Sequence, residues 1–215
     1  MANRIGWPAR FGKPASICLA LSFAAGLPAQ QVAADSGPQE VAQGFYEVLL
    51  STMRDGRTLG QSGRYARLAP VVSRTFDLAF MARLAVGPSW ATLAPAQQQR
   101  LTGAFGNYVS ATYADRFGTY SGEQLEVTGE RPYGLDVMVQ TKIVKSNGET
   151  TSLDYLMLQN RGAWQISDVY LDGTISQLAL QRSEFNAILR REGVDGLVMA
   201  LNRKIDLLRS VARSS

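Results

Sequence analysis

The spacing of apolar positions changes twice along the chain, and those changes divide it into three stretches. From Ser36 to about Tyr120 apolar residues recur every three or four positions, the period of an amphipathic helix. Ser36 with Gln39 reads as a capping box, and Val41, Phe45, Val48, Leu49 and Thr52 then share one helical face. Gly56, Gly60 and Gly63 suggest a loop, followed by two short helices over Leu68–Thr75 and Asp77–Val86, the second stopped by Gly87 and Pro88. Pro95 opens a long helix in its first turn, with Leu101, Phe105, Tyr108, Val109, Thr112, Tyr113, Phe117 and Tyr120 on its apolar face.

After Tyr120 the period becomes two. Gln124–Thr128 reads as a short strand. In the next, Val137, Val139, Thr141 and Ile143 alternate with Met138, Gln140 and Lys142. Ser146-Asn147-Gly148-Glu149 is a hairpin turn, because Asn-Gly tolerates the positive φ that such turns require. Leu153, Tyr155 and Met157 lie on the return strand, and Asn160-Arg161-Gly162 turns the chain into a fourth strand, Trp164–Leu171. Beyond Gly173 the helical period returns with Leu178, Phe185, Ile188 and Leu189. It breaks at Gly193 and resumes through Leu197, Val198, Leu201, Ile205 and Leu208. Helical stretches flanking an antiparallel meander predict an α+β fold. Its helices should pack over a curved sheet, an arrangement compatible with NTF2-like folds, and whether they enclose an apolar pocket or a filled core is left open by periodicity.

The first 34 residues read as a secretory signal rather than as part of this fold. They hold three bases (Arg4, Arg10, Lys13) and no acid, and then an apolar run of 13 residues, Ala15–Leu27, too short for a bilayer span. Cleavage is expected after Ala34, with Ala29 the alternative, leaving residues 35–215 as one domain. The remainder carries 19 bases against 18 acids, so the high isoelectric point belongs mainly to the leader and nothing supports nucleic-acid binding. Histidine is absent, and the one cysteine, Cys18, lies in the leader. Histidine triads, cysteine nucleophiles, disulfides and Cys/His zinc sites are thereby excluded for the remainder. No later stretch is long and apolar enough to span a membrane.

Three features could carry chemistry. Asp168 and Asp172 stand four apart at the end of the last strand, with Asp154 in its neighbour. Asp168 in an apolar cavity could serve as a general base, as in ketosteroid-isomerase-like enzymes. The preferred reading is structural: Asp168 accepts from backbone amides where the chain leaves the sheet. Phe105, Tyr108, Tyr113, Phe117 and Tyr120 either fill a core or wall a ligand cavity, and periodicity alone does not separate the two. Arg182, Arg190, Arg191, Arg203, Lys204, Arg209 and Arg213 form either a solvated helix face or a surface for anionic headgroups.

A family resemblance narrows these alternatives. Phe76-Asp77, Met81-Ala82, Gly87, Trp90, Leu93, Ala94-Pro95-Ala96-Gln97, Phe105 and Tyr113 resemble the MlaC (toluene-tolerance) family of periplasmic proteins auxiliary to ABC transporters. The likeness continues through Trp164-Gln165-Ile166-Ser167-Asp168-Val169, Gly173, Ser176, Ser183-Glu184-Phe185 and Gly193-Val194-Asp195-Gly196-Leu197. One residue more than usual separates Gly173 from Ser176, which resembles the hopanoid-associated HpnM subgroup. The resemblance implies a non-enzymatic periplasmic shuttle without a cofactor. Its ligand would be a phospholipid or a hopanoid-type lipid, and its partners an inner-membrane ABC transporter complex and an outer-membrane component. Periodicity, not a family motif, nominates the pocket lining: Phe105, Tyr108, Val109, Val137, Val139, Ile143, Leu153, Tyr155 and Met157.

Overall fold

The computed structural model describes residues 36–211, so the leader, its cleavage point, Cys18 and Arg213 lie outside the described residues. Five helices and five strands follow in order: α1 Pro38–Arg54, α2 Gly56–Thr75, α3 Leu78–Val86 with a 3₁₀ turn Gly87–Thr92, and α4 Pro95–Arg116. The strands β1 Gln124–Tyr133, β2 Asp136–Val144, β3 Thr150–Asn160, β4 Ala163–Leu171 and β5 Ile175–Ser176 precede the long α5, Gln177–Val211. The sheet is an open antiparallel meander in the order β1-β2-β3-β4-β5. The expected α+β architecture is therefore present, with a short fifth strand added to the four that periodicity revealed.

Local chemistry explains where the pattern was misread. The cap of α1 is one residue later than expected: Gly37 precedes the helix, and its amide donates to the Glu40 carboxylate at 3.3 Å. The glycines at 56, 60 and 63 do not form a loop. They lie in α2, which only kinks at Gly60 (φ 58°), where the helix gives way for a single residue. β1 runs five residues beyond Thr128, through Gly129 and Pro132, because it is an edge strand and a register shift after Val127 absorbs the irregularity. The two hairpin turns form as expected. Arg161 and Gly162 both take positive φ between β3 and β4. The Gly148 amide donates to the Lys145 carbonyl at 2.9 Å between β2 and β3.

Helices cover one face of the sheet. α1 lies against β1, β2 and β4, α4 packs on α2 and α5, and α3 packs on α5 and β4. The inward face carries Val139, Tyr155, Met157 and Ile166, all fully buried. Met138, on the opposite face, is buried as well, apart from the main core. Gln140 is exposed as the alternation requires. At the centre of the core, rings from α1 (Phe45, Tyr46), the end of α2 (Phe76), α4 (Tyr113) and β3 (Tyr155) pack mostly edge to face at centroid distances of 5.2 to 6.2 Å. Such pairs contribute about 0.5–1.5 kcal/mol each beyond area burial.

One buried cation fixes the end of α4. Arg64 on α2 donates from Nε to the Ala114 carbonyl at 2.7 Å, from one terminal nitrogen to the Gly56 carbonyl at 2.8 Å, and from the other to Gln61 Oε1 at 2.9 Å. Gln61 in turn donates to the Ala111 carbonyl at 3.3 Å. The Ala114 carbonyl belongs to the last turn of α4, where intrahelical partners run out, and the Gly56 carbonyl to the turn that precedes the kink of α2 at Gly60. Arg64→Met should therefore lower stability by about 1–3 kcal/mol by leaving buried carbonyls unpaired. Arg64→Lys should recover little, since one ammonium cannot span the three acceptors of the fork. Urea denaturation of both variants measures this; equal stability of the parent and Arg64→Met would refute the role.

Candidate functional site

Between the sheet and the helices lies a cavity of about 400 Å³, within the size range of small-molecule sites. Its inner wall is apolar: Met53 from α1, Phe76, Met81 from α3, and Phe105, Val109 and Tyr113 from α4. Ile143, Leu153, Val169 and Leu171 supply the sheet side, and Leu178 the start of α5. Its exposed lining residues are Arg116, Thr119 and Lys145, which define a mouth between the end of α4 and the β2–β3 hairpin. Glu123, Thr151, Gln177 and Gln181, each half-buried, add polar groups to the lining, as do Thr112 and the buried Asp168.

Strand register explains which of the nominated residues meet this space. Five of them, Phe105, Tyr108, Val109, Ile143 and Leu153, line it. Across the sheet Ile143 pairs with Thr151 and Leu153 with Leu171, so these rows lie where β2 ends, β3 begins and β4 ends. The rows Val139–Tyr155–Val169 and Val137–Met157–Ile166 lie progressively further from that end. There the aromatic rings of α1 and Phe76 fill most of the space, and only Val169 on β4 and one side of Phe76 still border the cavity. Val139, Tyr155 and Met157 are wholly buried in packed core, Val137 packs against it half-buried, and none of the four lines the cavity.

Met53, Phe76, Met81, Val169, Leu171 and Leu178 line the cavity without having been nominated. Met53 was accessible to reasoning, because it follows Leu49 by one helical turn on the same face. Phe76 and Met81 carried only the family resemblance.

The electrostatics separate a neutral interior from a charged mouth. Burial pushes the phenols of Tyr46, Tyr113 and Tyr155 upward, so all three stay neutral in the physiological range. Tyr46 Oη shares a hydrogen bond of 2.5 Å with Thr141 Oγ1, whereas Tyr155 Oη lies near the Tyr46 and Tyr113 hydroxyls without a well-formed hydrogen bond. Gln181 Oε1, on the α5 side of the cavity, is also buried without a partner. At the mouth Lys145 pairs with Glu149 at 2.8 Å, which favours its charged form.

Asp168 is the cavity's buried carboxylate, and its lone pairs are committed to the fold. Oδ1 accepts from the Val169 amide at 2.7 Å and from the Leu178 amide at 3.2 Å, and Oδ2 accepts from the Ser176 hydroxyl at 2.5 Å. Ser176 Oγ accepts from the Ala179 amide at 2.9 Å, the geometry of an N-cap on α5. Asp168 and Ser176 together hold the first turn of α5 against β4. Burial raises the Asp168 pKa, and its three donors oppose that rise. Asp172, with φ 51°, sits in the turn before Gly173, as the sequence suggests. Among the described residues no cluster of acidic, cysteine or histidine side chains could hold a metal ion.

Comparison with known proteins agrees with this architecture. The solved structure of a phospholipid-binding protein from Ralstonia solanacearum, in complex with a phospholipid, superposes with a TM-score of 0.69 at 22% sequence identity. The match covers 80% of this chain and 98% of that one, and shows that the two share a fold. The sequence profile of the MlaC protein family matches residues 43–203, which span β1 to β5 and nearly all of the helical layer. This chain belongs to the MlaC family.

Proposed function

We propose that this protein is an exported lipid carrier that takes acyl chains into the cavity and hands them on to membrane-associated partners. The observation that carries the reading is an apolar cavity with a polar mouth at one end, in a MlaC-family fold. The Ralstonia protein of the same fold binds a phospholipid, which supports the same ligand class here. The leader supports export to the periplasm with removal of residues 1–34. Among the described residues no helix is long and apolar enough to cross a membrane.

The energetics suit a carrier. Each acyl-chain methylene removed from water is worth ~0.8 kcal/mol, so a dozen buried methylenes contribute on the order of 10 kcal/mol. Moving the same chains from a bilayer into an apolar pocket is nearly neutral by comparison. Such a protein holds lipid firmly in water and releases it readily to another apolar host, but sets no direction by itself. Direction requires partners, for which the family resemblance offers an inner-membrane ABC transporter complex and an outer-membrane component.

Mass spectrometry of lipid extracted after detergent-free purification should find a stoichiometric phospholipid or a hopanoid, and intact mass should place the mature start near Asp35. Absence of any lipid would overturn the carrier reading.

Narrowing the cavity should separate ligand loss from unfolding. Leu153→Trp, on the half-buried cavity row, should reduce co-purified lipid severalfold with little change in thermal midpoint. Val139→Trp, in filled core at 0% exposure, should instead cost about 1–3 kcal/mol or more of stability. Gln140→Trp, exposed on the opposite face, should change neither. Equal lipid content in Leu153→Trp and the parent would count against the cavity as the lipid site.

A second reading, an enzyme with Asp168 as general base, draws on the raised pKa of a cavity-lining carboxylate. The hydrogen bonds of Asp168 favour a structural role. A folded-state pKa above the ordinary value makes Asp168 cost stability as pH rises from about 4 through that raised pKa, because the native state holds its proton longer. Asp168→Asn keeps an acceptor for the two amides and does not titrate. Its stability relative to the parent should therefore improve from about pH 4 towards neutrality, with lipid content unchanged. Asp168→Ala should lose about 1–3 kcal/mol by leaving those amides unpaired. Chemical denaturation across pH checks both. Turnover of a bound ligand that Asp168→Asn abolishes would favour the enzyme.

A further inference from the structure

The polarity of the cavity assigns its two ends to the two ends of an amphiphile. Met53, Phe76 and Met81 form the inner wall, whereas Arg116 and Lys145 are exposed at the mouth beside the hydroxyl of Thr119. The two cations differ in what they already hold. Lys145 is paired with Glu149. None of the ion pairs or side-chain hydrogen bonds among the described residues includes Arg116. Of the two acids in the lining, Glu123 accepts from the Ser121 amide at 2.6 Å, and Asp168 is held by its three donors at the start of α5.

We propose that Arg116 is the headgroup anchor of this cavity and binds the phosphate of an acyl-chain phospholipid at the mouth, with Lys145 and Thr119 beside it. This inference rests on the carrier reading above and adds a headgroup preference to it. A guanidinium presents paired donors that match two phosphate oxygens, and such charge-assisted bonds are stronger than neutral ones. The apolar wall accepts chains of any lipid, so chain burial cannot distinguish a phospholipid from a neutral lipid with the same chains. The mouth can: a phosphate gains the guanidinium, whereas a neutral hydroxyl gains one weaker bond. Gln181, with Oε1 buried and unpartnered in the lining, offers a further polar contact within the cavity.

Arg116 also lies in the last turn of α4, where a cation complements the helix dipole. A purely structural Arg116 would affect stability but not the choice between lipids, so the readout must be that choice. The mature protein, stripped of lipid, is incubated with phosphatidylglycerol vesicles or with neutral vesicles containing diacylglycerol of the same chains. Retained lipid is quantified by mass spectrometry and thermal midpoints are recorded in parallel. The parent should load phosphatidylglycerol about tenfold better than diacylglycerol. Arg116→Gln should reduce phosphatidylglycerol loading about tenfold and leave diacylglycerol loading unchanged, with Arg116→Lys in between. Raising the salt concentration should weaken the parent's preference, because the mouth is exposed.

Unchanged discrimination in Arg116→Gln overturns the anchor while leaving the carrier reading intact. A parent that loads neither lipid overturns both. Inorganic phosphate alone that raises the thermal midpoint as much as phosphatidylglycerol does would mean an anion site independent of acyl chains, and overturns the anchor as stated. If Arg116→Gln does not fold, Arg116→Lys and the salt dependence of the parent decide: full discrimination in both overturns the proposal.

Discussion

Five aromatic rings meeting between α1, the end of α2, α4 and β3 divide the space under the sheet into a filled half and a hollow half. Phe45 lies 5.3 Å from Phe76 and 5.2 Å from Tyr113, and Tyr46 lies 5.7 Å from Tyr155, mostly edge on. Rings in this geometry fill volume at low conformational cost and leave little room for anything else. Where they end, Phe105, Tyr108 and Phe117 wall the space instead of filling it, and the apolar rows at Leu153 and Ile143 face the cavity. The cavity therefore lies beside the core rather than replacing it.

Two polar anchors hold the walls of the hollow half in place. Arg64 satisfies the carbonyls at the end of α4, directly before the turn that carries Arg116 and Phe117 to the mouth. Asp168 and Ser176 satisfy the first amides of α5, from which Leu178 and Gln181 reach the lining. Both are buried polar groups at helix termini, the places where backbone groups lack intrahelical partners. A wall that faces an empty or exchangeable space cannot rely on packing from that side, so fixed hydrogen bonds from the other side take on more of the positioning. The same bonds explain why a raised carboxyl pKa here does not by itself mark a catalytic group: the raising comes from burial, and the donors that Asp168 holds are structural.

The fold class was legible in the sequence because periodicity reports which side of an element is apolar, and that property is local. The switch from helical spacing to alternation at about Gln124 and back after Gly173 located the sheet, and the Asn-Gly and Arg161-Gly162 turns located two of its hairpins. Glycine and proline were poorer guides. Gly60 kinks a helix instead of ending it, and Pro132 sits in a strand, because an edge strand has ladder groups that need no partner. The exclusion of histidine and cysteine chemistry beyond residue 34 also followed from the residues alone.

The cavity's extent was decided only by the tertiary structure. Alternation put Val137, Val139, Ile143, Leu153, Tyr155 and Met157 on one face, and they do not meet the same space: Ile143 and Leu153 reach the cavity, whereas Val139, Tyr155 and Met157 are buried in filled core. What separates them is how far along the strands the rings of α1 and Phe76 extend, and that depends on where α1 crosses a sheet formed much later in the chain. A strand's period fixes the direction of each side chain but carries no information about what stands opposite it. The sequence by itself determined the faces, the turns and the family likeness. The packing of distant helices determined which part of the apolar face is core and which part is cavity, because volume is filled by elements that no local pattern connects.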